Sequence, residues 1–420
     1  MDDDRTEAVV ALSHWRAVLA RSRNPRKRLD LVLEDAQAAD IVPAIPIEEI
    51  YYLIRGVGLD DAGPVLQLMS GEQLQGCLDL DLWERDRLSR TRIIAWMEAL
   101  AELPSSVLAR FVRALDEELV ALVVGRYARV YDHTAGEVPD EDGPHIFYRT
   151  PDTVFVVEMK TSDATAARTV ERFLSRLYDA DPDFARTILM DAKWGLTAEL
   201  EEESHRWRTA RLADLGFPSF EEAVGVYQPL DPGTGGASGV ASASGDGGDA
   251  RVLPMPFAEM LGGDSLLERA LAAIDDADLM GELARQLVAL LNRVLVADRV
   301  DAADLGQVRE TTARARDTIS LGLDHLSGGD LATATAVLSK GPLIDLFRIG
   351  YALVAKLLPR ARALDRAGVI DPNLDTLLEP RALFPRALDP EPTAGMRPFR
   401  TVSDVQMMDE FLRGLERTLD

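Results

Sequence analysis

Apolar positions near the start of the chain recur in triads spaced i, i+3, i+4, and the triads themselves recur every twelve residues. Ile50, Leu53 and Ile54 are followed by Ala62, Val65 and Leu66, then by Leu74, Cys77 and Leu78. A second array runs from Trp96, Ala99 and Leu100 through Leu108, Phe111 and Val112 to Val120, Val123 and Val124. Each triad is one apolar face of a helix. Twelve residues at about 100° each make three turns and roughly 120° more, so one continuous helix would aim successive triads in different directions. The chain must therefore turn between units, and Gly56, Gly58, Gly63, Pro64, Gly71 and Pro104 stand where the turns are needed. A short helix cannot bury its stripe alone, so these units are expected to stack on their neighbours.

The pattern changes along the chain. Residues 6–40 read as helical with a short basic break at Asn24-Pro25, and residues 78–86 read as an acidic connector carrying Trp83. Near 126 the period shortens. Tyr127 to Tyr131, Ile146 to Arg149 and Thr153 to Val157 are rich in aromatic and β-branched residues and predict a small antiparallel sheet. From Ala164 the helical period returns, with Val170, Phe173, Leu174 and Leu177 as one stripe and Asp181-Pro182-Asp183 as a helix start. A charged helix from Glu199 to Leu212 ends at Gly216-Phe217-Pro218. Residues 231–250 hold seven Gly and three Ser and predict a flexible linker. Beyond it, long stripes such as Leu283, Leu287, Leu290, Leu291, Val294 and Leu295, with joints at Ser327–Asp330 and Gly341-Pro342, suit a helical bundle. Residues 371–402 are Pro-rich and irregular, and a last amphipathic helix spans about Ser403 to Leu419.

The fold expected is mainly α. A short, solenoid-like helical-repeat domain covers 1–130, and 131–230 add a small antiparallel β insertion plus helices packing on the first domain. A flexible linker spans 231–262, and a C-terminal helical bundle spans 263–420.

Composition changes this picture in two respects. The 420-residue chain is 47% hydrophobic and 28% charged, ordinary for a folded protein of two or three domains, but its net charge is −25. That field repels phosphate backbones and anionic membrane surfaces, so nucleic acid and membrane are poor partners. The local basic cluster Arg21, Arg23, Arg26, Lys27 and Arg28 reads as a solvated helix end. The single cysteine, Cys77, sits in a triad and reads as a core residue, which suits a reducing compartment. No signal peptide and no membrane-spanning run are predicted, so a cytoplasmic location is expected. Lysines stand only at 27, 160, 193, 340 and 356; the Arg-rich balance fits a GC-rich bacterial genome.

The strings IPIEEIYYLIRGVGLDDAGPVLQLMSGEQLQGCLDLDLWERDRL, LYDADPDF and EEESHRWRTARLADLGFPSFEEAVGVYQPLDP cover residues 41–131 and 171–230 in part. In them the chain resembles a bacterial family that carries only a domain-of-unknown-function label, and no residue role follows from that likeness. The twelve-residue period of 41–131 is also similar to the helical N-terminal domain of MgtE-type magnesium transporters. That likeness implies stacked short helices with an acidic face and not transport, since no counterpart of the transporter's membrane helices is present.

Three constellations could carry chemistry. Glu158-Met159-Lys160 at a strand end resembles the E-x-K of PD-(D/E)-x-K nucleases, where the acid holds a divalent metal beside a second acid and the Lys steadies a hydroxide. Asp152 is the nearest second acid, with Asp140, Glu141 or Asp142 as substitutes from a turn. Asp79, Asp81, Glu84 and Asp86 offer oxygen ligands for Mg²⁺, without the glycine and terminal glutamate of an EF-hand. Glu202 and His205 form a lone E-x-x-H, short of the two pairs a di-iron bundle needs. Glu201, Glu202 and Glu203 are instead expected to pair with Arg206, Arg208 and Arg211 along the helix surface, and Trp194 and Trp207 to pack. His14, His133, His145, His205 and His325 are scattered, and no nucleophile elbow, phosphate loop, dinucleotide fingerprint or C-x-x-C occurs. The reading expected is a non-catalytic interaction or scaffold protein whose acidity suits a basic protein partner. The alternatives are a metal-dependent phosphodiesterase or nuclease centred on Glu158 and Lys160, and a divalent-cation sensor. The sequence sets no oligomeric state.

Overall fold

The twelve-residue units fold as separate short helices. In the computed structural model, which describes residues 22, 24–84, 86–140, 146–230, 254–261, 263–390 and 396–418, α1 (Pro25–Leu33) and α2 (Ala38–Ala44) lead into the first array. That array is α3 (Ile47–Val57), a 3₁₀ turn (Leu59–Asp61), α4 (Gly63–Leu68) and α5 (Gly71–Asp81). The second array is α6 (Arg90–Ala101), α7 (Ser105–Val112) and α8 (Glu117–Tyr127). Every triad residue is buried except Ala99, which is half-buried. Gly58 leaves α3 at φ 95°, a conformation that a β-carbon disfavours. Pro64 stands in the first turn of α4 and Pro104 at the N-cap of α7, so each proline starts a helix where its missing N–H costs nothing. α5 packs on α3 and α7, which joins the two arrays in one core.

The acidic stretch 78–86 is not a connector. Its first half completes α5, and Trp83–Glu84 (β1) and Arg87–Leu88 (β2) form a two-stranded antiparallel hairpin. The β insertion is present: β3 (Ala128–Asp132), β4 (Phe147–Arg149) and β5 (Phe155–Met159) make an antiparallel sheet in the order β3-β5-β4. Val130 faces Val157 across one ladder and Tyr148 faces Val157 across the other, all three buried. The strand boundaries lie one or two residues beyond those expected, because the first strand begins only after α8 has run through Tyr127. α9 (Ala164–Ala180) lays its predicted stripe on α6 and α7. α10 (Pro182–Trp194) and α11 (Thr197–Asp214) close the first unit, Met1–Leu215.

The second unit is Gly216–Asp420. α12 (Phe220–Val224) and a 3₁₀ turn (Gly225–Tyr227) open it. After them come α13 (Met255–Met260), α14 (Leu266–Ala272), α15 (Ala277–Ala297), α16 (Leu305–Ser327), α17 (Leu331–Leu338) and α18 (Leu343–Ala355). The chain ends with α19 (Leu358–Arg366), α20 (Pro372–Leu378) and α21 (Val402–Arg417). The unit boundary thus falls at 215/216, ahead of the Gly/Ser-rich stretch. Residues 216–230 belong with the second unit, because Ala223 and Val226 are buried where α12 and the turn pack on α15 and α18. Of the linker expected at 231–262, residues 231–253 lie outside the described residues, while 255–260 are not linker but form α13, with Phe257 and Met260 buried. The Pro-rich 371–402 region is more ordered than expected: it holds α20 and a bridge between Phe384 and Arg397. No helix among the described residues is long and apolar enough to cross a membrane.

α16 and α18 cross with their backbones nearly touching. A β-carbon on Gly350 would lie 2.0 Å from the carbonyl oxygen of Thr318, and one on Gly322 would lie 2.0 Å from that of Leu346. Two rigid helix backbones cannot yield there as a flexible side chain would. Gly350→Ala should therefore lower stability by about 1–3 kcal/mol or more through overpacking. Gly414→Ala, in α21 with nothing within 4 Å of the new methyl, should raise stability by up to about 1 kcal/mol. Urea unfolding of the two variants checks both signs.

Candidate functional site

α11 has almost no apolar face. Of its 18 residues only Ser204 and Leu212 are buried, so hydrophobic burial cannot decide how it sits. Charge decides it. Arg211 grips the fully buried Asp79 of α5 with two prongs, Nε donating to Oδ2 at 2.6 Å and Nη2 to Oδ1 at 3.0 Å, and Nη2 also donates to Asp116 Oδ2 at 2.9 Å. Arg208 donates to the Asp79 carbonyl at 2.7 Å. Gln75 Nε2 donates to Asp79 at 3.0 Å, and its Oε1 accepts from the Asp116 N–H at 2.9 Å. Trp83 packs edge-on to His205 and beneath the guanidinium of Arg208. Burial pushes the Asp79 carboxyl above its ordinary range, and the Arg211 fork pulls part of that rise back. Burial also brings Arg208 down to about 10, with Asp79 opposing.

The other end of α11 meets α10 at a tight corner. Asp181 caps α10 by accepting from the Phe184 N–H at 3.0 Å, and Pro182 follows in the first turn. Ala185, Ile188 and Leu189 face α8 and β3. Gly195 then turns the chain. A β-carbon there would lie 2.6 Å from the Asp191 carbonyl oxygen and 2.9 Å from Leu200 Cδ1. Arg126 of α8 pairs with Glu201 at 2.9 Å, and Glu137 pairs with Lys193, whose ammonium lies over the Trp194 ring. The corner is thus fixed on both sides.

It projects apolar groups into solvent. Trp194 is 68% exposed, Leu196 63% and Met190 50%. Met190 and Trp194 share one face of α10 at i, i+4. Val138, next in the chain to the Glu137 that pairs with Lys193, is also exposed. Glu199, Glu202 and Glu203, on the helix that follows, are exposed. Three apolar side chains of this size, fixed at one corner, make an exposed apolar patch.

This corrects several expectations. Trp194 does not pack, and Trp207 is 47% exposed. Arg208 and Arg211 do not pair along α11 but turn inward to α5. The signal was present in the α10 stripe: nine residues at about 100° each place Trp194 opposite Ala185. Of the proposed oxygen ligands, Asp79 serves Arg211. Asp81 serves Tyr51 Oη at 3.0 Å, Trp96 Nε1 at 2.7 Å and Arg55 at 3.5 Å. Glu84 and Asp86 are exposed on the hairpin. The structure does not bring these four together.

Nor does it bring Asp152 to Glu158. Asp152 sits in the β4–β5 turn, held by Arg186 at 2.6 Å and Thr150 Oγ1 at 2.6 Å. Glu158 lies three residues past the start of β5, about 10 Å along the strand, accepting from Tyr131 Oη at 2.6 Å. Lys160 donates to the Gly125 carbonyl at 2.6 Å, and its ammonium pKa is lowered by burial and then by Arg129. Asp140 is exposed in the preceding turn, while Glu141 and Asp142 lie outside the described residues. No group of three or more His, Cys, Asp or Glu suited to a metal occurs among the described residues. Glu202 is exposed, and His205 is spent on Trp83. Cys77 is fully buried, and burial followed by Asp81 and Asp79 pushes its thiol well up, which removes it as a nucleophile.

Fold and site together define a protein of stacked short helices and a helical bundle, with an exposed apolar corner on its first unit. The chain belongs to a family described as "Family of unknown function (DUF6178)", whose model matches residues 5–420. No curated protein and no solved structure matches it.

Arg211→Ala should cost roughly 3–5 kcal/mol at neutral pH, because it strands a buried carboxylate. The folded-state pKa of Asp79 is already raised and should rise further in the variant. A raised carboxyl binds its proton in the folded state before the unfolded state does, so stability falls as pH rises. The deficit of the variant should therefore shrink as pH falls toward the carboxylate range. Urea unfolding of both proteins across that range measures it.

Proposed function

We propose that this protein is a non-catalytic interaction protein whose first unit docks a basic protein partner on the α10–α11 corner. The observation that carries this reading is Trp194, 68% exposed on a corner fixed by two ion pairs and a close-packed glycine. Tryptophan is the residue most enriched among interface anchors, and a rigid anchor loses little entropy on binding. The exposed Glu199, Glu202 and Glu203 of α11 and the net charge of −25 favour a partner with positive charge around an apolar pocket. The twelve-residue period shared with the helical N-terminal domain of MgtE-type transporters supports the same reading, because stacked short helices give a rigid frame for a docking surface. The lone buried cysteine supports a reducing, cytoplasmic setting.

The phosphodiesterase alternative centred on Glu158 and Lys160 has less behind it, since Asp152 is engaged at the far end of the strand. A sensor of Mg²⁺ or another divalent cation has less too, since Asp79 and Asp81 are spent on arginines.

Capture from the native host with the wild-type protein and Trp194→Ala tests the proposal. The variant should fold within about 0.5 kcal/mol of wild type, as exposed substitutions do. It should lose its partner by about tenfold or more, and the wild-type complex should weaken as salt rises. A partner recovered equally well by the variant would overturn the reading, as would no partner at all.

A further inference from the structure

The second unit holds a cavity of about 220 Å³. α16, α18 and α19 form its walls, and the segment Leu378–Ala382 and Phe399 close it. Its aromatic lining is Tyr227, Phe347, Tyr351 and Phe399, and its charged lining is Arg314, Arg362, Arg381 and Glu379. Under one wall lies Asp298, whose side chain is almost fully buried. It accepts from Tyr227 Oη at 2.7 Å and Arg314 Nη2 at 2.8 Å, and also from Arg381. Arg381 in turn lies 4.7 Å over the Tyr227 ring, and the Tyr227 and Tyr351 rings are 5.0 Å apart. The aromatic wall is therefore locked by one buried carboxylate. Burial first, then Asp298, pushes the Tyr227 hydroxyl far up, so it stays a donor to that carboxylate.

Two donors in this lining remain unspent. The Tyr351 hydroxyl and the Arg362 guanidinium make no side-chain hydrogen bond or ion pair among the described residues. Arg314 pairs with Asp298 and Glu310 and Arg381 pairs with Asp298, so Arg362 is the guanidinium of this lining without a carboxylate partner among the described residues. A ring-lined cavity with one unpaired guanidinium and a hydroxyl donor suits one class of guest. We infer that the cavity binds a small aromatic monocarboxylate, its ring among Tyr351, Phe347 and Phe399 and its carboxylate on Arg362 and the Tyr351 hydroxyl. The guanidinium fork matches a carboxylate in two parallel hydrogen bonds, and the volume admits one ring with a short acid arm. This site lies wholly within the second unit and is independent of the apolar corner of the first.

Saturation-transfer NMR on the full chain tests it, with benzoate, 4-hydroxybenzoate and indole-3-carboxylate as probes, each beside its neutral amide. At least one carboxylate should bind with Kd below about 1 mM, and its amide should bind about tenfold more weakly or worse. Arg362 is exposed, so Arg362→Gln should keep the fold and weaken the carboxylate by a similar factor. Ala355→Phe, which fills the cavity, should abolish binding. Four results would overturn the inference: no carboxylate binding, equal binding of acid and amide, unchanged affinity in Arg362→Gln, or binding that survives Ala355→Phe.

Discussion

The first unit depends on one buried carboxylate. Asp79 has no exposure to water and would be strongly unfavourable there without a partner. Arg211 supplies that partner in the bidentate geometry that a guanidinium and a carboxylate share, and Gln75 fills part of the remaining acceptor capacity. The consequence reaches beyond a local pair. α11 buries almost nothing apolar, so the ionic grip of Arg208 and Arg211 on α5 orients it, with the packing of His205 on Trp83. Once α11 is oriented, its first turn and Gly195 fix where α10 must end. That ending puts Trp194 and Leu196 into solvent. A buried salt bridge is weak evidence for stability, but it is a strong device for selecting one arrangement of a helix that packing leaves undetermined.

Much of the fold was legible in the sequence because its signals are local. The i, i+3, i+4 triads and their twelve-residue period located six short helices, because a stripe and a breaker within a dozen residues decide each one. The aromatic and β-branched runs between 127 and 157 located the sheet for the same reason. What was not legible depended on distant residues. Arg211 and Asp79 are 132 positions apart, and nothing near Arg211 marks it as turned inward; the neighbouring glutamates offered a closer and mistaken partner. Trp194 and Trp207 were expected to pack because large aromatics usually do. The Gly/Ser-rich stretch marked itself as a boundary by composition, yet the units divide fifteen residues earlier, where Ala223 and Val226 are claimed by α15 and α18.

The two units use the same pairing to different ends. In the first, the arginines that hold Asp79 are spent, and their work is to aim an apolar corner outward. In the second, Asp298 gathers Tyr227, Arg314 and Arg381 and so builds a wall, while Arg362 and the Tyr351 hydroxyl stay uncommitted beside it. The candidate chemistry suggested by Glu158, Lys160 and Asp152 is absorbed by ordinary structural roles: a cross-strand tyrosine, a helix-end carbonyl and a turn. Residue types alone pointed to those positions.

The central claim is that the α10–α11 corner is open in the free protein and covered in its working complex. Hydroxyl-radical footprinting of the full chain, alone and within the complex isolated from its host, measures this at single side chains. The account predicts that Met190 and Trp194 oxidise readily in the free protein and are protected in the complex, while exposed Ile370 and Met396 of the second unit react alike in both. Equal reactivity of Trp194 in the two samples, or protection of Trp194 in the free protein, would contradict it.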